Sequence, residues 1–214
     1  MILGIIPARG GSKGLKRKNI QNLCGKPLIE WSIEAAKESL LLDQFVVSTE
    51  DPEIEEISRN AGAEVIRRPV SLAVDSAICI DVMKHVLETI NADTIVLISP
   101  TSPIRIDNIL DKAIKRFIDS GADSLATGFN STYYEWGTVP EKPRQEMKSY
   151  FVADGTAFIH KVEVVQDGRW YGEKLERMII PPVYYFDIDY KEDLWAIEGI
   201  MKYLKCNNLS GKGN

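Results

Sequence analysis

Apolar residues along the chain alternate between short unbroken runs and helical spacings. Residues 1–7 (Met-Ile-Leu-Gly-Ile-Ile-Pro) form such a run, too short for a helix, and predict a strand buried on both faces. Leu28, Ile29, Trp31, Ile33, Ala36 and Leu40 recur at helical spacing over 27–42, with Pro27 at the first turn, where its missing N–H costs little. The alternation then repeats. Strands are predicted over 44–49, 64–67 and 94–99, and helices over 52–61, 77–90 and 106–119, with Gly62 and Gly121 as stops. Alternation with short connections is the pattern of βαβ units. It predicts an α/β fold, a three-layer, doubly wound and mainly parallel sheet.

Residues 124–127 read as one more strand, after which the pattern breaks. The stretch 128–147 mixes Tyr133, Tyr134, Trp136, Pro140 and Pro143 with charge and has no period, which predicts an excursion from the sheet. Strand-like patterning returns over 150–160 and 183–188. A closing helix over 192–205 carries Leu194, Ile197, Ile200, Met201 and Leu204, and the polar tail 207–214 is expected to fray. The whole of 1–214 reads as one domain.

Hydrophobic residues make up 44% and charged residues 27% of the 214, which excludes collagenous, coiled-coil and disordered classes. No apolar run approaches the ~18 residues of a membrane span, and the first residues lack the basic start of a signal peptide. Cys24, Cys79 and Cys206 are widely spaced without a C-x-x-C, so neither a disulfide framework nor structural zinc is expected, and a cytoplasmic location is. A net charge of −5 argues against nucleic acid or an anionic membrane as partner. The opening of the chain is the exception: Arg9, Lys13, Lys16, Arg17, Lys18 and Lys26 precede any carboxylate.

Those cations share a loop with Gly10, Gly11 and Gly14, directly after the first predicted strand. The carboxyl end of a parallel sheet is where ligands bind, and glycines there let backbone N–H groups face an anion, so phosphate is the expected guest. Neither a Walker A nor a dinucleotide fingerprint is present. Gly10-Gly11-Ser12-Lys13-Gly14 does satisfy G-x-S-x-G, the nucleophile elbow of serine hydrolases. An elbow should run into a helix and needs a triad histidine, whereas 15–26 is basic and broken and His160 sits in a strand-like context. Near the other end, Asp187 and Asp189 stand at i and i+2 of a predicted strand, on one face, where they can share a divalent cation. A cationic loop and a carboxylate pair together point to nucleotidyl transfer with Mg²⁺.

The stretch 6–19 (Ile-Pro-Ala-Arg-Gly-Gly-Ser-Lys-Gly-Leu-Lys-Arg-Lys-Asn), with Gly25-Lys26-Pro27-Leu28, resembles the opening of the acylneuraminate cytidylyltransferases, the CMP-sialic acid synthetases. Val47-Ser48-Thr49-Glu50, Arg67-Arg68-Pro69 with Asp75, Pro100-Thr101-Ser102-Pro103-Ile104-Arg105, Pro143-Arg144-Gln145, Asp154-Gly155 and Asp187-Ile188-Asp189 follow in the family's order. The resemblance implies a cytidylyltransferase that moves CMP from CTP to a small anionic sugar acid and releases pyrophosphate. It implies nucleotide contacts from Ala8, Arg9, Gly10, Gly11, Ser12, Lys13, Lys18, Asn19, Arg68 and Asp75. Acceptor contacts would come from Ser99, Thr101, Ser102, Arg105, Arg144, Gln145 and Asp154, and Mg²⁺ would sit on Asp187 and Asp189. Catalysis would rest on Arg9, Lys13, Lys18 and the two metal acids. A homodimer built on the 128–147 excursion is also implied. Ser99, Val152 and Asp154 stand where the family commonly has Gln, Arg and Asn. These sugar-side departures leave a 3-deoxy-ulosonic acid or another phosphate or phosphonate compound open as acceptor.

Overall fold

The computed structural model describes residues 1–206; the expected fraying of 207–214 lies outside them. In chain order the strands are β1 (Ile2–Pro7), β2 (Asn22–Leu23), β3 (Lys26–Pro27), β4 (Gln44–Thr49), β5 (Glu64–Arg67), β6 (Thr94–Leu97), β7 (Ser124–Ser131), β8 (Tyr150–Lys161) and β9 (Leu175–Ile179). The helices are α1 (Leu28–Glu38), α2 (Pro52–Asn60), α3 (Cys79–Leu87), α4 (Ile109–Ser120), α5 (Val162–Gln166) and α6 (Lys191–Cys206).

Seven strands make one sheet in the order β5-β4-β1-β6-β8-β7-β9. β1 pairs in parallel with β4 and β6, and β4 with β5. β8 alone runs the other way, antiparallel to β6 and β7, while β9 lies parallel to β7. β1 is buried on both faces, as its unbroken apolar run requires. Ile6 joins Val47, Val96 and Ile159 under α1, α2 and α4, while Leu3 and Ile5 join Val46, Ile95 and Leu97 under α3 and α5. A third cluster packs α6 through Ile197 and Met201 against Leu23, Leu28, Ile104 and Ile188. That contact ties the end of the described chain to its beginning.

Two expectations are corrected. β7 runs on to Ser131, because β8 pairs with it as far as Tyr150, so the excursion begins after 131. The segment 183–188 is no strand. Pro181 and Pro182 cannot donate to a ladder, and the chain instead makes a 3-10 turn at Pro182–Tyr184 and sends Ile188 into the α6 cluster. The missing strand is β9, at the sheet edge, where Glu176 and Arg177 interrupt the apolar pattern. The hairpin β2–β3 and the single turn α5 are too short to leave a periodic signal.

Candidate active site

β5, β4, β1 and β6 all point one way, so their carboxyl ends open on a common edge. A cleft of about 540 Å³ lies there. The loop after β1 lines it with Arg9, Ser12, Lys13, Gly14, Lys18 and Asn19. The segment after β5 adds Arg68, Asp75 and Cys79, the turn after β6 adds Ser99 and Thr101, and the approach to α6 adds Asp189 and Tyr190. The cationic loop, the Arg68–Asp75 segment, the Pro-Thr-Ser-Pro turn and one of the two acids thus meet in one place.

The loop is braced from several sides. Ala8 N–H donates to Ser48 O at 2.9 Å, and Asn19 Nδ2 donates to Arg9 O at 3.0 Å, closing the loop at its base. Gly10 does not turn its N–H to the cleft: it donates to Glu50 Oε1 at 2.7 Å, and a Cβ there would overlap the Asp51 side chain. A Cβ on Gly14 would collide with Asp189 O. Both glycines therefore serve close packing, while Gly11 faces open space. Arg17 leaves the cleft for Asp51 and Glu53. Arg9 and Lys13 both reach Asp75, at 3.0 and 2.8 Å, and the hydrogen bond from Lys13 leads in holding that carboxyl below its usual range. Lys18 Nζ donates to Ile188 O at 2.7 Å and to Asp189 Oδ1 at 3.0 Å, locking the first motif to the last.

Asp187 and Asp189 were expected on one face of a strand; they lie instead on an irregular segment. Ile188 N–H donates to Thr101 O at 2.9 Å, so the segment hangs from the Pro-Thr-Ser-Pro turn. Asp187 Oδ1 accepts from Ser102 Oγ at 3.2 Å. Burial pushes the Asp187 carboxyl up, hydrogen bonds from Thr101 and Ser102 oppose this, and the charge of Asp189 raises it further. A carboxylate destabilised by burial and by a second carboxylate suits a divalent cation, whose charge would relieve both. Two acids are too few to cage an ion, and among the described residues no cluster of three or more His, Cys, Asp or Glu is placed to do so. The pair fits Mg²⁺, which binds through one or two carboxylates together with substrate phosphates and water.

The residues expected at the acceptor separate into two groups. Ser99 and Thr101 line the cleft, and Ser102 stands behind them, donating also to Asp154 O at 2.9 Å. Arg105 is turned inward. It donates to Thr156 O at 3.1 Å, Ser32 Oγ at 3.0 Å and Ser99 O at 2.7 Å, and burial lowers its pKa to about 10. Asp154 is also engaged within the protein: Oδ1 accepts from Thr127 Oγ1 at 2.7 Å and Thr156 N–H at 3.1 Å, and Oδ2 from Thr156 Oγ1 at 2.8 Å. These bonds brace the register shift between β7 and β8. There Gly155 takes a φ of +84°, beside Ser102, where a side chain would be strained. Arg144 and Gln145 lie exposed on the excursion, in a 3-10 turn outside the cleft.

Ser12 sits on irregular chain that leads to a 3-10 turn, not into an α-helix. His160 is buried in β8, bonded to Ser124 Oγ at 3.1 Å, and His85 lies on α3, so neither completes a hydrolase triad with Ser12. Sequence reasoning passed over Glu50, Tyr190, Thr127 and Thr156 as site residues. Glu50 had a usable signal, an acid at the carboxyl end of a buried parallel strand. The threonines had none, because their role depends on the β7–β8 register.

A family model described as cytidylyltransferase matches residues 3–203. N-acylneuraminate cytidylyltransferase A of Danio rerio is 30% identical over 213 residues, 92% of this chain and 49% of that one. Pseudaminic acid cytidylyltransferase of Campylobacter jejuni strain 81-176 is 36% identical over 140 residues, 63% of this chain and 59% of that one. The chain thus spans about half the length of these curated relatives. A CMP:2-keto-3-deoxy-manno-octonic acid synthetase complexed with CTP has a TM-score of 0.75 at 16% identity, covering 94% of this chain and 98% of that one, and shares the fold.

Proposed function

The chain belongs to the cytidylyltransferase family, and on that premise we propose that it transfers CMP from CTP to the hydroxyl of a nonulosonic acid, a sialic-acid-like sugar. The acceptor oxygen bonds to the α-phosphorus, the bond from that phosphorus to the bridging oxygen breaks, pyrophosphate leaves with the electron pair, and the hydroxyl proton passes to solvent. Such a reaction needs positioning and charge neutralisation more than covalent chemistry. Arg9, Lys13 and Lys18 supply fixed positive charge to the triphosphate, the first two exchanging Asp75 for phosphate oxygens. Arg68 lies on the nucleotide side. Bound Mg²⁺, held by Asp187 and Asp189, would neutralise charge developing on the phosphates. Ser99, Thr101 and Ser102 lie on the acceptor side.

The observation that carries this reading is the convergence on one cleft of the cations after β1, Arg68 after β5 and Asp189 before α6. The names of the relatives support CTP as donor and an acidic sugar as acceptor. We also place the protein in the cytoplasm as a homodimer: Cys24 and Cys79 are free thiols, and Tyr133, Tyr134 and Trp136 stand exposed on the excursion, residue types enriched at interfaces. Among the described residues no helix is long and apolar enough to cross a membrane. Magnesium-dependent pyrophosphate release should be assayed with CTP and a panel of nonulosonic acids, 3-deoxy-ulosonic acids and other anionic hydroxyl or phosphate compounds. Turnover with a nonulosonic acid is expected. Turnover only with a shorter or phosphate-bearing acceptor would move the assignment to that class, and CTP binding without turnover would remove it.

A further inference from the structure

In the sheet, β4 lies between β1 and β5, the strands that feed the cationic loop and the Arg68 segment. Its ladder ends symmetrically. Ala8 N–H donates to Ser48 O on one side and Arg68 N–H to Thr49 O on the other, each at 2.9 Å. The next residue is Glu50, whose side chain continues the same bridge. Oε1 accepts from Gly10 N–H at 2.7 Å, and Oε2 accepts from both Nε and one terminal nitrogen of Arg68 at 3.1 Å. Both partners of the ion pair are largely buried, with side-chain exposures of 13% for Glu50 and 3% for Arg68.

We infer that Glu50 is a positioning residue for the nucleotide, one carboxylate that sets the phosphate loop and Arg68 in register with each other. The inference rests on the cleft being a CTP site. The two oxygens act separately. One aims the loop by fixing Gly10, and the other fixes the guanidinium along its Nε edge while leaving the remaining N–H groups to a ligand. Burial lowers the pKa of Arg68, and the charge of Arg9 adds to that, while Glu50 opposes both. Without the carboxylate, a buried cation would face the loop's own cations, and it would move away from them. The nucleotide would then meet a loop and an arginine no longer set for it together.

Two variants separate the two arms. Glu50→Gln keeps an acceptor for Gly10 but removes the charge opposite Arg68, and Glu50→Asp keeps the charge but is one carbon too short to reach both partners. CTP affinity is measured by calorimetry in the presence of Mg²⁺, inorganic tripolyphosphate serves as a phosphate-only probe, and amide exchange of Gly10 is followed in the ligand-free protein. Both variants are expected to bind CTP about tenfold or more weakly. KM for CTP should rise with them while kcat changes by less than about threefold, the signature of lost uniform binding. Glu50→Asp should bind tripolyphosphate more weakly and exchange the Gly10 amide faster. If Glu50→Gln fails to fold, Glu50→Asp carries the decision alone. CTP affinity and Gly10 exchange both within about twofold of wild type would overturn the role of Glu50. Wild-type protein that binds neither CTP nor tripolyphosphate would overturn the functional reading instead, and Gly10 exchange would still report on Glu50.

Discussion

Arg105 is turned inward behind the Pro-Thr-Ser-Pro turn and donates to Thr156 O, Ser32 Oγ and Ser99 O, so its replacement separates a bracing role from contact with the acceptor. In Arg105→Met these three hydrogen bonds disappear. Bonds from a charged donor contribute about 1.5–3 kcal/mol each, so the gross loss is roughly 4.5–9 kcal/mol. Against this stands the cost of burying the charge. A pKa lowered from 12.5 to about 10 corresponds to roughly 3 kcal/mol at 1.36 kcal/mol per pKa unit. The net destabilisation is then about 1–6 kcal/mol, and a value near 3 would lower the melting temperature by roughly 6–12 °C in a chain of this size. Thermal or urea unfolding gives the first number, and steady-state pyrophosphate release, measured well below the transition, gives the second. Stability should fall while KM for the acceptor stays within about threefold. Unchanged stability with a large rise in acceptor KM would instead place Arg105 at the acceptor.

Arg9→Ala should do the reverse: its pair with Asp75 is half exposed and adds little to stability, while a lost phosphate contact should cut turnover about 100-fold. Equal losses in melting temperature and activity would contradict that. Asp189→Asn should leave the fold intact and raise the apparent magnesium constant about tenfold or more; an unaltered constant and rate would remove the acid from the metal site. Burial lowers the pKa of His160 from 6.5 to about 4, so the unfolded chain binds the extra proton between these values. His160 therefore has no linked effect above pH 6.5, and stability falls by up to roughly 3 kcal/mol as the pH drops from 6.5 toward 4. Urea unfolding at pH 7.5 and 5.0 should show that slope in wild type and a flatter one in His160→Gln; equal slopes would contradict it.

The parts of the fold legible in the sequence are those where burial is two-sided or strictly periodic. β1 and β4 are apolar runs closed by Pro or polar turns, and α2 carries its start and stop in Asp51, Pro52 and Gly62. β9 and the 183–188 segment were exchanged for opposite reasons. An edge strand needs little apolar surface, and the apolar residues Val183, Tyr184 and Ile188 are spent on α6 instead of a sheet. At the site, residue types announced the cationic loop and the acid pair, because charge with glycine at the end of a strand has few structural uses. Direction was not legible. Whether Gly10 N–H faces a ligand or Glu50, and whether Arg105 and Asp154 face the cleft or the β7–β8 register shift, depends in each case on at least one contact between residues 27 or more positions apart.

On the proposed function, an acceptor oxygen attacks the α-phosphorus of CTP in the cleft between the loop after β1 and Asp189. The most direct measurement uses an acceptor from the panel labelled with ¹⁸O at its reacting hydroxyl, followed by ³¹P spectroscopy of the products with Mg²⁺ present. One pyrophosphate per CMP diester is expected, with the isotope shift on the diester phosphorus and none on pyrophosphate, and with both signals appearing much more slowly in Asp189→Asn at a magnesium concentration near the wild-type constant. Free CMP without label, orthophosphate in place of pyrophosphate, or label recovered in pyrophosphate would contradict it.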